Sequence, residues 1–187
     1  QKSRKWLRRA KRENPGAVTV LTGCMPQAFP DAAALTGADI VLGNTNRKSL
    51  VPHVQEFLAS RKRCVDVVPH VSGEPFEALR VEEFHGRTRA FLKIQDGCDR
   101  FCAYCIIPFI RGKFRSRPEE AILAEAQDLA QAGMQELIVV AQDITRYGLD
   151  LYGARTLAKL LPKLCAIEGI HWVRLHYLYP DAVSYTH

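Results

Sequence analysis

The sequence predicts an α/β protein in two parts, a truncated α/β domain followed by the first half of a partial (β/α) barrel. Three observations carry this expectation. Short apolar runs, each suited to one buried strand, alternate with amphipathic stretches of helical period. Residues 69–86 mix Pro, Gly, Ser and charge without period, and read as a linker between residues 1–68 and 87–187. Beyond it, a strand-like run leads straight into three closely spaced cysteines, at the strand end where such folds place their ligands.

The elements follow in order. Residues 2–13 read as a helix that Asn14-Pro15-Gly16 stops. Ala17 to Leu21 is a buried parallel strand, with Thr22-Gly23-Cys24 at its carboxyl end. A short helix near 29–36, a strand Asp39–Leu42 and a turn at Gly43-Asn44 come next. Residues 46–59 form an amphipathic helix with Leu50, Val54, Phe57 and Leu58 on one side, and Cys64–Val68 a further strand. In the second part, Ala90–Ile94 is a strand, and Pro118 opens a helix over 118–132 whose apolar face is Ile122, Ala126, Leu129 and Ala130. Gly133 ends it. Leu137–Ala141 is a strand. Thr156 caps a helix facing inward through Leu157, Leu160, Leu161 and Leu164. Trp172–Tyr179, closed by Pro180, is the last strand. Right-handed crossovers lay these three strands parallel and side by side.

The chain has 187 residues, 47% of them hydrophobic, enough for one sizeable core or two modest ones. No apolar run reaches the roughly 20 residues of a membrane span. The basic N-terminus has no apolar segment behind it and is not a secretory signal. A cytoplasmic protein without a membrane partner is the expectation, with a true start upstream of Gln1. The net charge of +6 is concentrated in residues 1–13, where Lys2, Arg4, Lys5, Arg8, Arg9, Lys11 and Arg12 face Glu13 alone. Such a helix suits a phosphate backbone; a solvated helix face is the plain alternative.

Six cysteines stand at 24, 64, 98, 102, 105 and 165. Cys98, Cys102 and Cys105 form CxxxCxxC on one loop, opened by Gly97, which permits a sharp turn. Three thiolates so placed can hold three corners of an iron–sulfur cube and leave one iron open. Zinc is the competing reading, with His85 the nearest fourth ligand, and buried structural thiols the other. Cys64 and Cys165 read as buried packing residues.

The stretch LKIQDGCDRFCAYCIIPFIRGKFRSRP, Leu92 to Pro118, resembles the radical S-adenosylmethionine (SAM) methylthiotransferases, whose members include MiaB, RimO and MtaB. The resemblance covers nearly the whole chain. It implies that Cys98, Cys102 and Cys105 ligate a [4Fe-4S] cluster whose open iron binds SAM. Electron transfer then yields a deoxyadenosyl radical that abstracts hydrogen from an unreactive C–H bond. It also implies that Tyr104 packs beside the cluster. Gln142 and Asp143, in AQD at a strand end, hydrogen-bond SAM, with capping of the next turn the alternative for Asp143. Arg111 or Arg117 meets the SAM carboxylate or the substrate, unless both are solvated. His176 reads as a packed strand residue. Cys24, in VLTGC, matches the third ligand of the family's auxiliary [4Fe-4S] cluster, expected complete only in the full-length protein; by itself it reads as a buried thiol. An electron donor such as flavodoxin or ferredoxin is implied as a partner.

The two halves resemble different members. KSRKWLRRAKRENPGAVTVLTGCMPQ and GRTRAFLKIQDGCDRFCAYCIIP are similar to MtaB, which methylthiolates threonylcarbamoyl-adenosine beside the tRNA anticodon. IRGKFRSRPEEAILAEA, VVAQDITRYGLDLYG and WVRLHYLYPD are similar to RimO, which modifies an aspartate of a small-subunit ribosomal protein. The change near Pro108 reads as a hybrid or a misassembled reading frame, and Ser184-Tyr185-Thr186-His187 departs from the family pattern. The expectation is tRNA as substrate, with the ribosomal protein as the alternative. A non-catalytic, zinc-stabilised RNA-binding module is the reading from another class.

Overall fold

The computed structural model describes residues 2–71, 73, 74, 76, 77 and 88–179. Most of the 69–86 linker, His85, Pro180 and residues 184–187 lie outside those residues. The chain divides into two compact units, one of Gln1–Ser72 with Phe109–Gly112, the other of Gly73–Pro108 with Lys113–His187.

The first unit is a small parallel sheet covered on both faces. Helix α1 (Lys2–Glu13) leads into β1 (Val20–Leu21), α2 (Cys24–Ala28), α3 (Pro30–Ala34), β2 (Ile40–Leu42), α4 (Leu50–Ser60) and β3 (Cys64–Asp66). The order is β1-β2-β3 with every pair parallel. All three residues of the central β2 are buried. Val41 joins Leu21, Ala33 and Ala38 on one face, where Leu7 of α1 packs, while Ile40 and Leu42 meet Phe57 of α4 on the other. A strand apolar at every position is what burial on two faces demands. Asp39 ties α1 down: its carboxylate is 2.7 Å from Lys11 Nζ and accepts from the Thr19 amide and hydroxyl.

The second unit holds the half barrel. Its strands β4 (Arg89–Lys93), β7 (Glu136–Val140) and β8 (Trp172–Leu175) are parallel and adjacent. The short β5 (Gln95–Asp96) and β6 (Arg115–Ser116) pair antiparallel, with α5 (Ile107–Arg111) between them in sequence. Helix α6 (Glu119–Gln131), α7 (Leu149–Tyr152) and α8 (Leu157–Cys165) complete the set. One sheet face, Ala90, Leu92, Leu137 and Val139, packs on Ile122, Ala126 and Leu129 of α6 and on Leu160 and Leu164 of α8. The register puts Phe91, Ile138 and Arg174 on the opposite face, where Phe91 is 56% and Trp172 71% exposed.

The elements differ from the sequence reading mainly in length. The first strand shrinks from Ala17–Leu21 to Val20–Leu21, and the last from Trp172–Tyr179 to Trp172–Leu175. His176 lies past that last strand and is exposed rather than packed, and Tyr177 at φ 64 breaks the extended run. Helices α2, α5 and α7 and the β5–β6 pair were not expected; each is too short to show a period. Thr156 stands at the α8 N-cap but makes no side-chain capping bond. Cys165 is exposed, not buried, because it ends α8 one residue past the inward Leu164.

Candidate functional site

The site grows from the carboxyl end of β4. Lys93 leaves the strand, and Gly97, at φ 76, turns the chain into the cysteine loop. Phe101 holds a left-handed φ of 48 between Cys98 and Cys102, a conformation that costs a non-glycine residue about 1–3 kcal/mol. The Cys105 amide donates to the Cys102 carbonyl at 2.9 Å and closes the turn between the last two thiols.

All three thiols line one cavity of about 650 Å³. Phe101, Tyr104, Tyr177 and Tyr179 give it aromatic walls, and Lys93, Val140, Ala141 and Gln142 enter from the ends of β4 and β7. Tyr104 is 94% exposed there, presenting most of its ring to the opening. The Gln142 side-chain carbonyl oxygen is buried without a hydrogen-bond partner, an unmet acceptor on a residue of the cavity wall.

Two ion pairs pin the cysteine loop to the turn after β7. Arg100 Nε donates to Asp143 Oδ2 at 2.7 Å, and Arg146 pairs with Asp99. The Arg100 guanidinium also stacks 3.8 Å from the centre of the Tyr179 ring. Burial and a hydrogen bond with Cys102 push the Tyr179 hydroxyl up. Asp143, 1% exposed, uses its other oxygen to accept from the Thr145 amide and hydroxyl, capping the short turn 144–146. Both oxygens are therefore engaged within the protein, and the capping alternative for Asp143 is the arrangement found.

Other expected residues lie elsewhere. Arg117 is 4% exposed, paired with Glu125 and donating to the Ala121 carbonyl of α6, and is absent from the cavity wall. These partners anchor it to α6. Arg111 and Cys24 meet in the first unit, where Arg111 Nη2 lies 3.6 Å and Asn44 Nδ2 3.7 Å from the Cys24 sulfur. Cys24 is half-buried at the start of α2.

Sequence reasoning missed Arg100, Lys93, Tyr177 and Tyr179. For Arg100 a signal existed. Asp99-Arg100 in the cysteine loop mirrors Asp143 and Arg146 after β7, two short segments of complementary charge.

The donor set tests which group the cavity suits. Ligands of one zinc ion converge on a point, four at a time. Among the described residues, no three His, Cys, Asp or Glu side chains are so gathered. Thiols of a cube bind separate irons and need only surround a common space. Three free thiols on one loop around one cavity are a donor set that fits the cube.

Residues 92–181 match the radical SAM superfamily. A curated relative in Clostridium botulinum, ribosomal protein uS12 methylthiotransferase RimO, is 40% identical over 166 residues, 88% of this chain and 37% of the relative. Proteins of the same name in Clostridium perfringens and Pelobacter propionicus are 41% and 39% identical, over 88% and 94% of this chain. The chain belongs to the radical SAM methylthiotransferase family. It spans about two fifths of the length of these relatives. Radical SAM membership implies a [4Fe-4S] cluster and SAM. Among the described residues no helix is long and apolar enough to cross a membrane.

Proposed function

We propose that this chain is part of a methylthiotransferase that adds a methylthio group to an aspartate of ribosomal protein uS12. The observation that carries this reading is the set of relatives named for that activity, aligned across 88–94% of the chain. That span takes in most of the N-terminal half, whose likeness to MtaB had favoured tRNA, so the ribosomal-protein alternative replaces the tRNA reading.

In this proposal Cys98, Cys102 and Cys105 hold the [4Fe-4S] cluster. With SAM bound, such a cluster supplies radical chemistry that removes hydrogen from an unreactive C–H bond. The chain's own residues place and shelter it. Gln142, on the cavity wall, is the residue that hydrogen-bonds SAM. Tyr104 and Phe101 supply aromatic wall to the cavity that receives it. Asp143 and Arg146 are positioning residues that act through Arg100 and Asp99 on the loop. Cys24 is the one ligand this chain contributes to an auxiliary cluster. A flavodoxin or ferredoxin supplies electrons, and the cytoplasm is the setting.

Anaerobic reconstitution with iron and sulfide tests the site. About four irons per chain, with a reduced EPR signal that changes on adding SAM, is the expected result. Zinc instead, or a cluster indifferent to SAM, overturns it. The substrate is tested with the full-length protein, reduced cofactor and SAM, by mass spectrometry of uS12 and of tRNA. A methylthio mass gain on uS12 alone supports the proposal; gain on tRNA alone restores the other reading.

A further inference from the structure

A second group of reactive side chains lies in the first unit and plays no part in the proposed cluster chemistry. Strand β3 puts Cys64 and Asp66 on one face, two residues apart, while Val65 points the other way. Helix α4 sets His53 over that face. His53 Nε2 is 2.9 Å from Asp66 Oδ2, and Nδ1 is 3.6 Å from the Cys64 sulfur. Asn46 Nδ2 donates to Asp66 Oδ2 at 2.6 Å and fixes the carboxylate. A carboxylate facing Nε2 holds the proton there, which turns the lone pair of Nδ1 toward the thiol. The ring thus joins a carboxylate to a sulfur in the order that activates a nucleophile.

We propose that Cys64, His53 and Asp66 form a base-activated thiol site that exchanges with small disulfides. Burial, Asp66 and Glu56 push the Cys64 thiol up, so it rests protonated and needs a base at the moment of attack. The charged groups facing it are Asp66 on β3 and, on α4, His53 and Glu56, whose Oε2 is 4.0 Å from Nδ1. In the step, the thiol proton passes to His53 Nδ1 and the sulfur attacks one sulfur of the disulfide. A Cys64–S–S–R bond forms as the R–S–S–R bond breaks, and the leaving thiolate takes the proton from His53. One thiol and one disulfide exchange, with no outside oxidant. The two carboxylates steady the imidazolium in between. The proposal is independent of the reading of the cluster site.

Cystamine, a small disulfide, is the probe, and the exposed Cys165 is the internal reference. The chain is treated from about pH 5 to about pH 9, quenched with acid, digested, and mixed disulfides at each cysteine are counted by mass spectrometry. The Cys64 rate is expected to rise at lower pH than the Cys165 rate and then to level off, because the paired base and not bulk thiolate formation sets it. His53→Gln is expected to slow Cys64 at least tenfold, about the low end of general-base catalysis or below, and to leave Cys165 unchanged. Asp66→Asn, which keeps the shape of the site, slows Cys64 less. A Cys64 profile that parallels Cys165, or an unchanged ratio in His53→Gln, overturns the proposal. If His53→Gln unfolds by circular dichroism, the wild-type profile and Asp66→Asn still decide.

Discussion

At the residue scale, the site divides into side chains that face the cavity and side chains that hold the loop in place. Cys98, Cys102, Cys105 and Gln142 face the cavity. Asp143 is buried and holds Arg100 by a charged hydrogen bond. Buried charged pairs are costly to break because the survivor keeps its desolvation penalty. Each of Cys98→Ala, Cys102→Ala and Cys105→Ala is expected to abolish the iron–sulfur absorbance after anaerobic reconstitution. Cys165→Ala, altering an exposed thiol outside the cavity wall, is expected to leave iron content unchanged. Asp143→Asn, which removes the charge and keeps the size, is expected to lower iron retention under chelator challenge without abolishing assembly.

At the element scale, α1 shows how one carboxylate secures a helix. The helix is strongly cationic and buries little beyond Leu7, so packing alone gives it weak purchase. Asp39 supplies the tie. Burial raises its pKa, but the bonds from Lys11 and from the Thr19 amide and hydroxyl outweigh that, and it ends below the ordinary 3.8. A carboxyl group whose pKa is lower folded than unfolded stabilises above the unfolded value, and loses that contribution as pH falls through the folded one. The anchoring of α1 is therefore complete at neutral pH and lost with acidification below about pH 4. Helical circular dichroism from α1 is expected to fall there first, and Asp39→Asn to bring the same loss to pH 7. The sequence already marked this element: seven cations before Asn14-Pro15-Gly16 define its length and end. It did not mark the tie, because Lys11 and Asp39 are 28 residues apart.

At the scale of the whole molecule, each unit rests on its own core, and the helices α6 and α8 cover one face of the second unit's sheet. Leu137 of β7 lies at 0% exposure against the helices, while Phe91 on the opposite face is more than half exposed. Leu137→Ala is expected to cost about 2–5 kcal/mol in denaturant unfolding, and to take the cavity with it. Phe91→Ala is expected to stay within about 0.5 kcal/mol. Equal losses in the two variants would mean the sheet faces are assigned wrongly.

The fold class was legible in the sequence because buried parallel strands write themselves as unbroken apolar runs. Leu137 to Val140 and Ile40 to Leu42 needed no tertiary information. The cysteine triplet was legible for a similar reason: one loop carries all three thiols, so spacing alone brings them to one cavity. What spacing cannot reach is long-range choice of partner. Arg117 and Arg100 look alike as exposed charges in a loop-rich stretch, yet Arg117 folds onto Glu125 and Arg100 onto Asp143. Asp143 and Gln142 are neighbours, yet one turns inward to cap a turn and the other lines the cavity. The triad of Cys64, His53 and Asp66 was invisible for the same reason, since helix and strand must dock before the ring can span both side chains. Local pattern determined which elements form and where the thiols gather. Tertiary packing alone decided which charges are spent on structure and which remain for chemistry, because a side chain's partner depends on what the fold sets beside it.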